Sequence, residues 1–462
     1  MAHLEAEFNR LLQLAQAEGS QMGTVRDRIV QTIYREAQDI AEKAVKLKGK
    51  AEDVDRMIDN VVTSKIWGYP LMLALLSVVF WLTISGANFP SALLAEFLFG
   101  LQDQLTALFQ WAGAPDWLHG VLVLGMYRAL AWVVSVMLPP MAIFFPLFTF
   151  LEDLGYLPRV AFNLDKLFKK AGAHGKQILT MCMGFGCNAA GVIACRIIES
   201  PRERLIAILT NNFVPCNGRF PTMIAMAAIF MGLLVSNYNS FTASALVAGV
   251  VVLGVSVTLA VSWILSKTLL KGIPSTFTLE LPPYRIPKIG SLLIRSVFDR
   301  TLFVLMRAVV VAAPAGMVTW ILANIQIGGL SILAHLAGWL QGFGCAIGLD
   351  GFIVLAFLLG LPANEIVVPI LIMSYLAEGA MVELDSIEAL RELLVNNGWT
   401  WLTALNMMLF SLLHFPCATT LLTIRKETQS LKWTVLAALI PTGIAIAVCF
   451  VVAQIVRGLG LF

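Results

Sequence analysis

Apolar and polar positions follow two different patterns along this chain. Within residues 1–64, Ile29, Ile33, Ala37, Ile40 and Ala44 recur at helical spacing among charges of both signs. Val54, Ile58 and Val61 repeat the pattern, so two short amphipathic helices are expected, the first opened by a capping box at Thr24 and Asp27. Beyond residue 65 the amphipathic signal gives way to apolar runs of about 20 residues, the length that crosses a bilayer. Such runs lie at 66–86, 118–150, 205–233, 243–266, 302–325, 398–422 and 433–457. The segment 88–114 is apolar with polar residues at intervals and reads as an interfacial helix.

Two more apolar stretches, 177–195 and 351–376, are interrupted by GFGCN and GLPANE. Two of the spans are broken in turn, at VPCNGRFP (214–221) and HFPCATT (414–420). Glycine and proline end helices, and an amide or charge finds no water in lipid. Such residues are tolerated at membrane depth only where they line a cavity enclosed by protein. The breaks therefore mark a substrate site.

Loop charge gives the topology. Lys and Arg concentrate in 1–65, 159–204 and 267–300 and at Arg425, Lys426 and Lys432, whereas 87–117, 234–242 and 326–350 contain none. The basic segments face the cytoplasm by the positive-inside rule, the N-terminus included. GFGCN then enters and returns from the cytoplasmic side, and GLPANE does so from outside. The expected architecture is an all-α polytopic membrane protein of two inverted repeats with re-entrant and broken helices, like the gate domains of nucleoside carriers. Its parts are a helical segment at 1–64, a first repeat at 65–270, a cytoplasmic connector at 271–301 and a second repeat at 302–462.

Composition agrees with a multi-pass membrane protein. Of the 462 residues 58% are hydrophobic and 13% charged, against about a quarter charged in soluble domains. A net charge of +3 implies no nucleic-acid partner. Seven cysteines, mostly inside apolar runs, do not form an extracellular disulfide framework. MAHLEAEFNR lacks the basic and apolar regions of a cleaved signal peptide.

The order LEDLGYLPRVAFNLDKL, GFGCN, NNFVPCNGRFP, LELPPYRIP, LPANEIVV and HFPCATT resembles the membrane part of FeoB, the bacterial ferrous-iron transporter family, from about residue 30 to the C-terminus. Members usually carry a GTP-binding domain, but this sequence has no GxxxxGK[ST] phosphate loop. The resemblance implies a transporter rather than an enzyme, seated in the bacterial inner membrane. It would carry Fe²⁺ as its substrate and hold no permanent cofactor. The implied partners are the lipid bilayer, a separate soluble GTPase or small accessory protein, and further copies of the chain in a homo-oligomer. Where the family has serine before the second cysteine this chain has Pro215, and where it has lysine in the second break this chain has Asn364.

Cys187 and Cys216, each at a break and each matched to a family motif, are the leading metal ligands, with Cys417 at the equivalent second-repeat break. Thiolate, imidazole and carboxylate are all acceptable to Fe²⁺. Asn188 and Asn364 stand at corresponding breaks and either bind the ion or cap half-helices. Glu365 neutralises a cation or pairs with Arg219. Met183 offers a thioether, His414 an imidazole beside Cys417, and Glu152 and Asp153 can attract cations at the cytoplasmic mouth. The alternative cargo is a nucleoside or other small solute carried by the same paired-hairpin fold.

Overall fold

The computed structural model describes residues 30–40, 51–64, 66–234, 240–272, 284, 287–381 and 387–460. The capping box at Thr24 and most of the LELPPYRIP connector lie outside these residues. Helix is formed at 30–40 and in α1 (Ala51–Val62), as the amphipathic spacing predicts. α2 (Gly68–Trp111) then runs unbroken for 44 residues with Pro90 inside it. The separate interfacial helix expected at 88–114 is thus the second half of α2. One proline removes one hydrogen bond, while helical apolar spacing continues through it and keeps Ala87 packed inside. At 1.5 Å per residue α2 is about 66 Å long, more than twice the hydrocarbon thickness. Trp67 and Trp111 at its two ends are exposed.

α3 (Asp116–Asp153) packs along α2 and includes π-helical turns at Gly120–Tyr127. Gly155, at φ 88°, turns the chain into α4 (Tyr156–Lys170). α1 is fastened to α4 by polar contacts. Asp59 pairs with the buried Arg159 at 3.0 Å, and Tyr284 of the connector donates to the same carboxylate.

α5 (Gln177–Gly186) and α6 (Asn188–Ala194) form a helical hairpin with Cys187 at its tip. Lys176 closes the base by bonding the Ile197 carbonyl and pairing with Glu199. α7 (Pro201–Thr210), capped by Ser200, leads into the break at 214–216, beyond which α8 (Phe220–Leu234) continues. α9 (Ser240–Lys267) ends the first half. The second half begins with α10 (Phe303–Asn324) and a two-residue β ladder, Gln326–Ile327 with Leu330–Ser331. α11 (Ile332–Ala346) bends by 110° into α12 (Gly351–Leu359). α12 and α13 (Val367–Leu376) make the second hairpin. Its base is closed where the Tyr375 hydroxyl meets the Asp350 carboxylate, the side chain that also caps α12. α14 (Trp401–Leu413), opened by a Thr400–Thr403 capping box, breaks at 414–417 and resumes as α15 (Ala418–Thr428). α16 (Leu431–Gly458) follows.

The two hairpins enter from opposite ends, as loop charge predicts. Arg196, at the base of the first, pairs with Glu427 at the end of α15 at 2.7 Å. Trp399, just before α14, donates to Tyr375 at the base of the second at 2.8 Å. α14 and α15 together are one crossing, so its two ends mark two faces. That crossing is also the most enclosed: 72% of its apolar window is buried, against 20–33% in the other spans. Among the described residues, six helices are long and apolar enough to cross a membrane, or seven if the bent pair α11–α12 counts as one. The chain is a multi-pass membrane protein.

A candidate ion cavity at four helix breaks

The four breaks meet. Cys187 is extended at φ −154°, ψ 125°, and Ala363 holds φ −152°, ψ 125° at the tip of the second hairpin. Each is followed by an asparagine, Asn188 or Asn364. The spans break in matching fashion: proline precedes Cys216 (φ −81°, ψ 167°) and Cys417 (φ −60°, ψ 158°), withholding an N–H from the helix and holding the residue before it extended, as at Val214 (φ −85°, ψ 121°).

Cys187, Cys216, Cys417, Asn188, Asn364 and Glu365 line one cavity, together with Met137 and Met141 of α3, Asn217 and Thr419. It leaves about 20 Å³ for the centre of a water-sized particle. That is room for one water or ion; a nucleoside needs a pocket of hundreds of Å³. The three cysteines share this space without converging. Among the described residues, no three His, Cys, Asp or Glu side chains are grouped closely enough to hold one metal.

Arg219 supports the cavity from behind. Fully buried, it gives Nη1 to the carbonyls of Asn212 (2.9 Å) and Leu412 (2.8 Å). Nη2 reaches Asn212 Oδ1 (3.0 Å) and the carbonyls of Phe415 (3.2 Å) and His414 (3.4 Å). A single guanidinium thus serves backbone freed at both broken spans. Arg219 forms no ion pair with Glu365, the one alternative for that carboxylate that geometry decides. Glu365 instead lies against Gly218, where any Cβ would stand 1.9 Å from its Oε1.

His414 does not line the cavity. Its Nδ1 is 3.0 Å from the Phe410 and Ser411 carbonyls and its Nε2 3.3 Å from Asn364 Oδ1. Its ring packs among Phe357, Phe410 and Phe415. It positions Asn364, whose Nδ2 lies 3.9 Å from Cys216 Sγ. The Asn188 amide faces three carbonyls, of Gly184 (3.3 Å), Val214 (3.2 Å) and Asn211 (3.3 Å), and satisfies them when it is turned so that Nδ2 points toward them.

Met183 is buried in α5 away from the cavity, and Glu152 and Asp153 are exposed at the end of α3. The second GFGC, at 342–345, belongs to α11, where Cys345 is exposed. Met137, Met141 and Thr419 were not anticipated. Thr419, two residues beyond Cys417 in CATT, carried a readable signal; the methionines, in a chain of 18, did not.

The family Gate, described as Nucleoside recognition, matches residues 134–230 and 305–431. Each of those segments holds one hairpin and one broken span. A second family, described as Ferrous iron transport protein B C terminus, matches residues 247–299. A protein named Fe(2+) transporter FeoB from Staphylococcus aureus (strain MSSA476) is 30% identical over 86% of this chain and 58% of its own length. The chain is thus similar to the membrane region of FeoB. The FeoB of Methanocaldococcus jannaschii is 28% identical over 92% of this chain and 62% of its own length. A protein from Porphyromonas gingivalis named as a fusion of Fe(2+) transport protein A and FeoB is 27% identical over 86% of this chain and 51% of its own length. The chain thus spans less than two thirds of these curated FeoB relatives. No solved structure matches it.

Proposed function

We propose that this chain is the membrane path by which ferrous iron enters the cytoplasm. The observation carrying the reading is the cavity, where the breaks of two oppositely inserted hairpins and two broken spans bring three cysteines, three asparagines and Glu365 around space for a single ion. A divalent ion cannot enter hydrocarbon with its water, so the path must replace that water. Sulfur favours Fe²⁺ over the abundant Mg²⁺, which demands oxygen. Because the thiols do not form a closed shell, the ion can be passed on rather than retained. Room for the centre of about one water-sized particle speaks against the nucleoside alternative.

The base of the first hairpin carries Lys176, Arg196, Arg202 and Arg204, which supports a cytoplasmic location for that face and for the N-terminus. α1, fastened to α4 immediately before this hairpin, offers a seat for a soluble GTPase or an accessory protein. The fusion named in the Porphyromonas relative supports a partner of the second kind.

The test is anaerobic uptake of radiolabelled Fe²⁺ into cells lacking their own ferrous importers, with and without the GTPase half of a FeoB relative. Uptake above vector level, unaffected by excess nucleoside, is expected. Vector-level uptake in both backgrounds, despite normal membrane levels, would overturn the proposal.

A further inference from the structure

We infer that the ion leaves the cavity through the first half of the protein, along a file of buried amide and hydroxyl oxygens between α5 and α7. The inference rests on the transport reading above and adds a route to it.

On α5, Gln177, Thr180 and Gly184 stand at i, i+3 and i+7 and share a face. On α7 and the turn after it, Glu203, Ala207, Thr210 and Asn211 do the same. The two faces touch. Gln177 Nε2 donates to Thr210 Oγ1 at 2.8 Å, and Asn211 Nδ2 donates to the Asn188 carbonyl at 3.2 Å. The Asn211 amide is lodged between the arms of the hairpin: a Cβ on Gly184 would lie 3.0 Å from its Oδ1, and one on Gly191 2.8 Å. Only glycine leaves it room. Gln177, Thr180, Thr210, Asn211 and Glu203 are each at most 1% exposed. They connect Asn188, at the cavity, with the hairpin base about 15 Å away by helix rise.

A capping role accounts for the donors in this file but leaves its acceptors unexplained. Asn211 Oδ1 and Gln177 Oε1 are buried without any hydrogen-bond donor among the described residues. Such oxygens are costly to bury unless something supplies a donor or a positive charge. A divalent cation, or the water it recovers on the way out, supplies one or the other. The second hairpin has no such file: α12 reads GFIVLAFLL and presents no polar face, although Asn406 Oδ1 on α14 is likewise buried without a donor. The asymmetry gives the file a direction, toward the base that carries Lys176 and Arg196.

Two measurements test this. Gln177→Leu keeps volume but removes the amide. It should bind Fe²⁺ within about twofold of wild type yet transport at least about tenfold more slowly. Thr210→Cys should react with methanethiosulfonate ethylammonium applied to the cytoplasmic face of membrane vesicles, as read by peptide-resolved mass spectrometry. Thr258→Cys, equally buried on α9 but off the file, should not. Labelling at 210 needs no assumption about cargo, so it decides the route even where Gln177→Leu fails to fold or the wild type binds no iron. Position 210 staying as unreactive as 258, or Gln177→Leu transporting like wild type, would overturn the route. Absence of Fe²⁺ binding in the wild type would overturn the transport reading alone.

Discussion

Cys187 and Ala363 hold the same backbone conformation, to within 2° in φ, at the tips of two hairpins that enter from opposite ends of the protein. One carries a thiol where the other carries a methyl. The fold is thus nearly two-fold around the cavity, while its four breaks carry three thiols instead of four.

Restoring the missing sulfur should convert a passage into a trap. A fourth thiol at the tip of the second hairpin adds a soft ligand to a cavity whose three thiols do not converge, and so holds the ion longer. Ala363→Cys is expected to bind Co²⁺ or Fe²⁺ at least about tenfold more tightly, about 1.4 kcal/mol, while uptake falls. Competition against a chelator measures the first and cellular uptake the second. Unchanged affinity would mean that position 363 does not face the ion.

Glu365 is held in place by the absence of a side chain on Gly218. Gly218→Ala puts a methyl 1.9 Å from Oε1 and must displace the carboxylate. Uptake should drop about as far as in Glu365→Gln, which removes the charge and keeps the shape. Either variant transporting normally would exclude Glu365 from the path.

Arg219 is expected to matter for stability. Arg219→Leu leaves the carbonyls of Asn212, Leu412 and Phe415 without their donor, while that of His414 keeps Asn212 Nδ2, at about 1–3 kcal/mol for each group that finds no substitute. We expect at least about 3 kcal/mol of destabilisation in thermal or denaturant unfolding of the detergent-solubilised protein, with Arg219→Lys intermediate. An unchanged unfolding midpoint would show that these bonds are replaceable.

The orientation can be read from two exposed acids near the two hairpins. With Cys345 replaced by serine, Glu199→Cys should label with an impermeant maleimide only after permeabilisation, and Glu378→Cys in intact cells. The reverse pattern would invert the direction of transport inferred from loop charge.

Much of the fold was legible because lipid is a strict solvent. Glycine or proline joined to cysteine and asparagine inside apolar runs marked the breaks that face protein, and basic loops gave the opposed entry that Arg196–Glu427 and Trp399–Tyr375 display. Continuity of α2 through Pro90 was not legible, since a single proline bends some helices and ends others. Within the site, motif position identified Cys187, Cys216, Cys417, Asn188, Asn364 and Glu365 as cavity residues. Which methionine faces inward depends on helix rotation, which packing against distant elements sets. Met183 therefore read like Met137, and His414 like a ligand, although its nitrogens are given to backbone and to Asn364.

The central claim, that the cysteines at the breaks meet the ion, is tested most directly by anaerobic Fe²⁺ binding to the purified chain. Serine keeps the size of cysteine but offers a hard, protonated oxygen. Cys187→Ser and Cys216→Ser should each weaken binding at least about tenfold, roughly 1.4 kcal/mol. Cys449→Ser should not, because that thiol is buried against the Asn406 carbonyl, away from the cavity. Fe²⁺ binding by both cavity variants with wild-type affinity would contradict the account.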